Sequence, residues 1–298
     1  MRGNRVRMLA TARANLPLTW QSPEIITGLA DWLGGVGADA VVSDHEPFVP
    51  RAARRVGVPV VALSHQHILT DTLPRVPVAH VPSWAATALG IAVLAPRGAS
   101  AVVVPSFFFP RRRPGSRAVL VPPILRDDVL ASSPRDGDRV LVYANEGDGL
   151  GDWLRALDGV EADVYGLDPS LPAPASVRLH APSRAGFLAD LADARAVVAT
   201  AGFTLLSEAL HLGKPVLAVP NRGFFEQAVN ALYLRRLGRG EVARRLTARR
   251  LHAFLDRADA YRRPCAGGGT EGREQAADAI ESALAGARRA TSSLAVAA

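Results

Sequence analysis

Residues 139–219 contain a series of short, uninterrupted apolar runs, and this series is the feature that most constrains the fold. The runs are rich in valine and alanine, and they alternate with stretches whose pattern is typical of helices. Strands that are apolar on both faces occur in parallel sheets covered by helices on either side. This part of the chain is therefore predicted to form a doubly wound α/β domain. The predicted strands are residues 139–144, 162–166, 177–180, 196–200 and 215–219, and the predicted helices are residues 153–157, 186–192, 203–212, 225–237 and 242–255.

A second and shorter series of the same kind precedes it. Only three strands are predicted there, whereas a complete doubly wound domain contains more. We therefore expect a shortened N-terminal domain, or a natural start upstream of residue 1. The predicted strands are residues 38–43, 58–63 and 101–105, with helices at residues 50–56 and 81–94.

Proline marks the boundary between the two series. Residues 110–138 are rich in proline, with Pro122 and Pro123 at the centre, and this composition is typical of an interdomain linker. The predicted parts of the chain are an N-terminal domain over residues 1–121, a linker over 122–138, a C-terminal domain over 139–265, and a C-terminal helix and tail over 266–298.

Positive charge is concentrated in the first half of the chain. The formal net charge is +7, and residues 1–130 carry 14 arginines against 8 acidic residues. Lys214 is the single lysine of the chain, so a GC-rich coding sequence explains much of the arginine excess. The alternative is a surface that faces phosphates or anionic lipid, which keeps a peripheral membrane contact open. Since the three arginines at 111–113 lie in no known nucleic-acid-binding motif, we expect no nucleic-acid partner.

Cysteine usage and hydropathy narrow the classes of protein further. A single cysteine, Cys265, excludes an internal disulfide framework and a zinc site built from several cysteines. No apolar run reaches the roughly 20 residues that a membrane span needs, and the N-terminus lacks the pattern of a secretory signal. We therefore predict a cytoplasmic protein, with membrane-peripheral placement as the alternative.

The segment from Thr200 to Ala209 carries the first candidate binding site. A predicted strand ends at Thr200, Gly202 permits a tight turn, and a helix follows with Thr204 in its first turn. Free N–H groups at the start of a helix bind phosphate oxygens, helped by the helix dipole. Glu208 lies one helical turn after Thr204 on the same face, where a carboxylate can accept from ribose hydroxyls. The alternative is an ordinary strand–helix turn with a solvated glutamate.

A second segment ends in polar side chains at the same predicted edge of the sheet. Residues 213–215 lead into a buried strand that stops at Pro220, and ligands of open α/β sheets bind at such strand ends. Glu226 and Gln227 then begin a helix, and acid and amide side chains are suited to sugar hydroxyls. Asn230, one turn further on, is placed to brace Glu226. By itself, a Glu-Gln pair at a helix start is common and means little.

Together the two segments resemble the donor-binding half of GT-B glycosyltransferases that use nucleoside-diphosphate sugars. These include the UDP-glycosyltransferases, the macrolide glycosyltransferases and the peptidoglycan N-acetylglucosaminyl transferase, and the resemblance extends over residues 139–255. It implies two Rossmann-like doubly wound domains facing a cleft, with the N-terminal one incomplete here. The site residues it implies are Gly202, Phe203 and Thr204 for the diphosphate, Glu208 for the ribose, and Glu226 with Gln227 for the sugar.

The glycine-rich turn at residues 147–151 follows the first strand of the C-terminal domain. It does not match the dinucleotide-binding pattern, so it is weak as a motif. The resemblance places it near the donor phosphates, and a flexible surface turn is the alternative.

Residues 41–48 and 58–67 resemble, more loosely, a bacterial and archaeal branch of the same transferases. An inverting transfer needs a base that removes the proton of the acceptor hydroxyl. Since neighbouring parallel strands end at the same edge, we predict His65 as the base and Asp44 as its partner. The alternative is that these groups cap turns or pack in the core. The candidate polar residues at these strand ends are Asp44, His45, Glu46, His65 and His67.

The predicted function is transfer of a sugar from a nucleoside diphosphate, with UDP favoured, to a hydroxyl acceptor with inversion. The acceptor class stays open between a lipid-linked molecule and a small natural product. Backbone N–H groups would stabilise the diphosphate leaving group, so we expect no cofactor and no essential metal. The alternatives are a sugar-nucleotide epimerase of the same architecture, a non-catalytic nucleotide-sugar-binding subunit, and a DNA-binding protein that the basic charge alone supports.

Overall fold

A computed structural model of the chain describes residues 8–94, 99–144, 150–262 and 271–296. These residues form two compact units, each described by itself below. The N-terminal unit comprises residues 8–124 together with 271–296, and the C-terminal unit comprises residues 125–262. The division at 124–125 leaves most of the predicted linker, residues 122–138, inside the C-terminal unit.

Most of the strands are three to five residues long. In chain order they are β1 (Val41–Ser43), β2 (Val60–Leu63), β3 (Thr72–Leu73), β4 (Ala101–Pro105), β5 (Arg111–Arg112), β6 (Val119–Val121), β7 (Val140–Tyr143), β8 (Ala162–Tyr165), β9 (Val177–Leu179), β10 (Ala196–Ala199), β11 (Val216–Ala218) and β12 (Gly240–Val242).

The helices vary more in length than the strands. In chain order they are α1 (Met8–Gly35), α2 (Val49–Arg55), α3 (Ile68–Asp71), α4 (Val81–Leu94), α5 (Asp127–Leu130), α6 (Leu150–Ala156), α7 (Arg184–Asp193), α8 (Phe203–His211), α9 (Phe225–Arg236), α10 (Ala248–Leu255), α11 (Ala258–Tyr261) and α12 (Arg273–Val296). Short 3₁₀ turns occupy His65–His67 and Val78–His80.

The N-terminal unit is built on a parallel sheet with the strand order β1-β2-β4-β6. Strands β3 and β5 form a separate antiparallel pair. Side chains alternate across the parallel sheet, so Val60 packs with α1 and α2 whereas its neighbour Val61 packs with Ala276 of α12. Helices therefore cover both faces, as the apolar runs predicted. Strand β6 was not predicted, because its three residues follow a stretch dominated by proline and arginine.

Helix α12 comes from the far end of the chain and packs on the N-terminal sheet. The chain reaches it at Gly272, whose N–H donates a 2.9 Å hydrogen bond to the carbonyl oxygen of Pro123. A Cβ at position 272 would lie 2.2 Å from the carbonyl oxygen of Pro122, so this close approach requires glycine. Ala276 is then buried against β2, β4 and β6. The predicted C-terminal helix is thus part of the N-terminal core.

The C-terminal unit contains a six-stranded sheet with the order β12-β11-β10-β7-β8-β9, and every pairing is parallel. Val142, Val198 and Leu217 lie in one core cluster with Leu251 and Phe254 of α10. Strands and helices alternate throughout, which confirms the doubly wound prediction.

Strand β12 corrects one element of the prediction. Residues 242–255 were predicted as one helix, but Gly240–Val242 pairs in parallel with Val216–Ala218 and the helix begins only at Ala248. A Cβ at position 240 would lie 1.9 Å from the carbonyl oxygen of Val216, so the strands can approach only because residue 240 is glycine. Thr247 caps the helix by accepting from the N–H of Arg250.

The connections that leave β10 and β11 position the candidate site. In a sheet of this order, the strand sequence reverses between β7 and β10, and ligands bind at the carboxyl edge near such a reversal. Strand β10 leads into α8 through residues 200–202, and β11 leads into α9 through residues 219–224. Both helices therefore begin at this edge.

Two features of the sequence analysis fall on residues that lie outside the described ones. They are the first part of the glycine-rich turn, residues 147–149, and Cys265. Among the described residues, no helix combines the length and the apolar character that crossing a membrane requires.

Lys214 is buried between α8 and β11, and its ammonium group donates to the carbonyl oxygen of Arg135. Burial, and after it the positive charge of Arg262, lowers the pKa of Lys214 to about 8 from its usual 10.5. The unfolded chain therefore binds more protons than the folded chain between pH 8 and 10.5. Folding stability should rise with pH across that interval.

We predict that Lys214→Met removes this rise. Between pH 7.5 and 9.5, the wild type should gain about 2 kcal/mol of unfolding free energy relative to the variant. Urea unfolding at both pH values measures the difference, and other titrating groups cancel because both proteins carry them. Parallel pH profiles for the two proteins would contradict the prediction.

Candidate functional site

The turn between β10 and α8 has an unusual backbone. Ala201 adopts a left-handed conformation with φ of +68°, which is unfavourable for a residue with a side chain. The buried amide of Asn230, on α9, donates a 3.2 Å hydrogen bond to the carbonyl oxygen of Ala201. Helix α9 therefore holds the turn that starts α8. Asn230 was predicted to brace Glu226, which stays a prediction.

Helix α8 begins with a turn that its N-cap residue does not cap through a side chain. Gly202 is the N-cap and has no side chain to accept from the first amides. A Cβ at position 202 would meet nothing within 4 Å, Phe203 is half-buried and Thr204 is exposed. The N–H groups at the positive end of a helix favour an anionic ligand. The three residues predicted to hold a diphosphate thus lie together at this turn.

Glu208 lies one turn further along α8 and is only 3% exposed. Its Oε1 accepts a 2.9 Å hydrogen bond from Nε of Arg126, which precedes α5. The sequence did not predict that Glu208 is buried, because a glutamate in a helix is usually exposed to solvent. Arg126 itself was assigned to the linker, and a contact between residues 82 positions apart leaves no signal in a single sequence.

Further charges extend outward from this ion pair. Nε of Arg126 lies 3.9 Å from Oδ1 of Asp128, and Oδ2 of Asp128 lies 2.9 Å from Nη2 of Arg184. Arg184 is the first residue of α7, next to its N-cap Ser183. Glu208, Arg126, Asp128 and Arg184 therefore alternate in sign from the interior to the surface.

The start of α9 carries the two residues predicted to bind a sugar. Glu226 is half-buried in the first turn of the helix. Oε1 of Gln227 accepts a 2.8 Å hydrogen bond from the N–H of Asn221, in the loop after β11. Because its oxygen is engaged with this loop, Gln227 is fixed in orientation. Its amide NH₂ group is the part that can donate to a ligand.

In the N-terminal unit, His65 is buried at the end of β2. Its Nδ1 lies 2.8 Å from the carbonyl oxygen of Pro105, so Nδ1 carries the proton and Nε2 carries the lone pair. The ring stacks against Phe107, 6.5 Å between centroids, and meets the edge of Phe108. Asp44 is exposed at the end of β1. A backbone carbonyl therefore orients His65, and pairing with Asp44 stays a prediction.

A second histidine of the same region is paired with a carboxylate. Nδ1 of His67 lies 3.3 Å from Oδ2 of Asp71. Burial alone would raise the pKa of Asp71, but hydrogen bonds from His67, Thr70 and Ser116 outweigh it and hold the pKa below its usual value. His45, with φ of +48°, has its pKa lowered by burial and by nearby His67.

The remaining polar group at these strand ends, Glu46, has a local role. The carboxylate of Glu46 accepts from the N–H groups of Phe48 and Val49 at the start of α2, which is capping. No sequence signal distinguished this role from a role in binding.

One cluster of the described residues has metal-ligand spacing. Asp163, His180 and Asp190 each offer a ligand atom within 4.8 Å of the others. However, Arg139 donates to Asp163 at 2.6 Å, and Tyr165 donates to Asp190 at 2.6 Å. These hydrogen bonds engage Oδ2 of both aspartates, and Oδ1 of Asp163 lies 2.7 Å from Nε2 of His180, so the cluster is better explained as a structural network. Burial and the bond to Asp190 raise the pKa of Tyr165.

The chain also contains one Asp-x-Asp spacing, at Asp136 and Asp138. Such spacing is frequent in metal-dependent transferases, but the carboxylate of Asp136 is ion-paired with Arg262. A guanidinium in this place opposes the binding of a cation.

Solved structures of glycosyltransferases share this architecture. CalG4, the calicheamicin glycosyltransferase, is 21% identical with a TM-score of 0.59, over 94% of this chain and 82% of that one. Os79 from O. sativa, in complex with UDP and deoxynivalenol-3-glucoside, is 16% identical with a TM-score of 0.66, over 93% and 86%. UGT2 of Phytolacca americana, complexed with UDP-2fluoro-glucose and pterostilbene, is 14% identical with a TM-score of 0.57, over 90% and 74%.

The two sequence comparisons gave different results. No curated protein matches the chain significantly. Residues 1–259 match the family model described as glycosyl transferase family 1. The structural matches confirm the predicted fold class, two α/β units of the GT-B type with a shortened N-terminal one. The chain therefore belongs to glycosyl transferase family 1 and is a glycosyltransferase of the GT-B fold.

Proposed function

We propose that the protein transfers a sugar from a nucleoside diphosphate, with UDP as the favoured nucleotide, to an acceptor hydroxyl with inversion at the anomeric carbon. The observation that carries this proposal is a buried carboxylate, Glu208, one turn inside a helix whose N-cap, Gly202, has no side chain to cap it. A helix start that binds phosphate suits a nucleoside diphosphate when a carboxylate that can accept from ribose hydroxyls lies roughly one turn, about 5–6 Å, further along.

The start of α8 would hold the diphosphate. The backbone N–H groups of Gly202, Phe203 and Thr204 and the helix dipole favour negative charge at this point. That charge grows on the leaving diphosphate as the bond to the sugar breaks, so preorganised donors lower the barrier. We propose that these groups suffice without a cofactor or an essential metal.

The sugar would lie against the start of α9. There Glu226 can accept from sugar hydroxyls, and the NH₂ group of Gln227 can donate to one, because its oxygen is held by the N–H of Asn221. This division of donor and acceptor orients a sugar with vicinal hydroxyls.

The structural relatives support UDP and a small acceptor. Os79 and the Phytolacca enzyme were both solved with UDP or a UDP-sugar, and with deoxynivalenol-3-glucoside and pterostilbene respectively. CalG4 is described as the calicheamicin glycosyltransferase. A small natural product is therefore the favoured acceptor. A lipid-linked acceptor with peripheral membrane contact is the second candidate, and the basic charge of residues 1–130 is its support.

His65 is the proposed base. With Nδ1 donating to Pro105, the lone pair on Nε2 can accept the proton of the acceptor hydroxyl. The hydroxyl oxygen then attacks the anomeric carbon on the face opposite the diphosphate, which leaves with the electron pair of the broken bond. The positive charge gained by the ring is stabilised at Nδ1 by the Pro105 carbonyl, and Asp44 would add to this if it approaches.

Glu208→Gln should weaken UDP binding by about ten- to a hundredfold, because a charge-assisted hydrogen bond contributes roughly 1.5–3 kcal/mol. Calorimetry with UDP measures the change. The matched control is Glu241→Gln, which removes another ion-paired glutamate of the C-terminal unit, held by Arg257 at 2.9 Å. Equal UDP affinity in wild type and Glu208→Gln would remove Glu208 from the site.

Gln227→Ala should spare UDP affinity and weaken a UDP-sugar by about tenfold, since only the sugar loses a hydrogen-bond partner. UDP serves as the internal control for folding. If the variant weakens UDP and UDP-sugar equally, Gln227 does not bind the sugar.

The same UDP-sugars separate transfer from epimerisation. We expect UDP-N-acetylglucosamine incubated with the protein alone to keep its configuration at C2, as followed by NMR. Rapid C2 epimerisation without an acceptor would favour the epimerase, which shares the architecture.

His65→Asn should lower turnover by roughly two to four orders of magnitude with UDP affinity unchanged. Asparagine keeps an N–H donor for the Pro105 carbonyl but lacks a basic nitrogen. The control is His80→Asn, at an exposed position of the same unit. Full turnover in His65→Asn would place the base elsewhere.

A further inference from the structure

We propose that Arg126 is a positioning residue that makes the nucleotide site selective for a ribose diol over deoxyribose. It would do so by holding the Glu208 carboxylate in one orientation, with one oxygen uncommitted. The inference rests on the proposed function, and it adds a residue from outside the matched donor segment, 82 positions away in the chain.

Arg126 contacts only one of the two carboxylate oxygens of Glu208. Arg126 reaches Glu208 through Nε alone, at 2.9 Å from Oε1. Within the described residues, no hydrogen bond is made to Oε2 of Glu208. A carboxylate offers about four lone-pair positions, so three are left after the contact with Arg126. That number is sufficient for the two hydroxyls of a ribose diol.

Burial explains why the arginine is needed. The side chain of Glu208 is 4% exposed, and a buried carboxylate without a counter-charge is strongly destabilised. The guanidinium of Arg126 supplies that charge while its own side chain keeps 33% exposure and thus its hydration. Without it, Glu208 would turn toward solvent, and this change removes an acceptor from the diol.

The arginine is itself held in place. Asp128 lies 3.9 Å from its Nε on the solvent side, and Arg184 fixes Asp128 from the start of α7. Asp128 lies in the first turn of α5, and Arg126 immediately precedes this helix. The short helix after the proline-rich stretch therefore sets the direction from which Arg126 approaches. Arg126 is therefore confined between two carboxylates, one buried and one at the surface.

The opposite role for the same contact is a block. If Arg126 occupied the place of the ribose, it would have to leave before the nucleotide binds, and removing it would tighten binding. The uncommitted Oε2 favours the positioning role, because a diol can be accepted without displacing the arginine.

The experiment compares UDP with 2′-deoxy-UDP by calorimetry. We expect the wild type to prefer UDP by about tenfold, the effect of one hydrogen bond to a charged group. Arg126→Gln should bind UDP about tenfold more weakly and 2′-deoxy-UDP by a smaller factor, because the deoxynucleotide offers Glu208 only its 3′-hydroxyl, so the preference narrows. Arg126→Lys should recover most of it, because lysine restores the charge. Arg257→Gln, which breaks the Arg257–Glu241 pair, is the matched control and should keep the wild-type preference.

A double variant sharpens the test. Adding Arg126→Gln to Glu208→Gln should change UDP affinity no further, since Arg126 acts only through that carboxylate. Tighter UDP binding in Arg126→Gln, or an equal change for both nucleotides, would overturn the positioning role. A wild type that binds both nucleotides equally, with Glu208→Gln like wild type, would instead overturn the ribose assignment of Glu208 and this inference with it.

Discussion

A parallel sheet imposes the constraint on which the candidate site depends. Each strand must be followed by a crossover, so all strands end at one edge and the helices that follow begin there. In the C-terminal unit, β10 and β11 are hydrogen-bonded neighbours, with Val197 opposite Val216. Their following helices, α8 and α9, therefore start side by side. The helix start predicted to bind an anion and the side chains predicted to bind hydroxyls therefore lie near each other as a consequence of topology.

Hydrogen bonds between these two loops fix the finer geometry. The left-handed Ala201 is an unfavourable conformation that costs of order 1–3 kcal/mol unless the surroundings hold it. Asn230 contributes to that support by donating to its carbonyl oxygen, and Asn230 is fully buried. In the same way Asn221 holds Gln227. The turn before α8 and helix α9 are thus coupled, and a change in α9 should alter the geometry at the start of α8.

Local patterns in the sequence were sufficient for most of the C-terminal fold. The apolar runs placed β10 and β11 to within a residue or two, since an uninterrupted valine-rich run has few other solutions. Strand β12 was missed because three residues that include a glycine and a glutamate have no strand pattern of their own. It exists because β11 offers an open edge that Gly240 can approach closely.

Contacts between residues far apart in the chain could not be predicted from the sequence. The position of Glu208 one helical turn after Thr204 gave it as a candidate ribose ligand, but its pairing with Arg126 depends on a residue in a supposed linker. Likewise, the strand-end rule identified His65, whereas its contact with Pro105 depends on the pairing of β2 with β4. Packing of α12 on the N-terminal sheet, between residues more than 150 positions apart, is equally invisible to local periodicity.

Hydrogen exchange followed by mass spectrometry, with and without UDP, tests most directly whether the start of α8 holds the nucleotide diphosphate. Exchange of the amides of Phe203 and Thr204 should slow when UDP is added, because phosphate oxygens accept from them. The peptide that covers α10, Ala248–Leu255, should be unchanged and serves as the internal reference. Saturating UDP that slows exchange elsewhere but leaves residues 202–208 unaltered would contradict the assignment of the site.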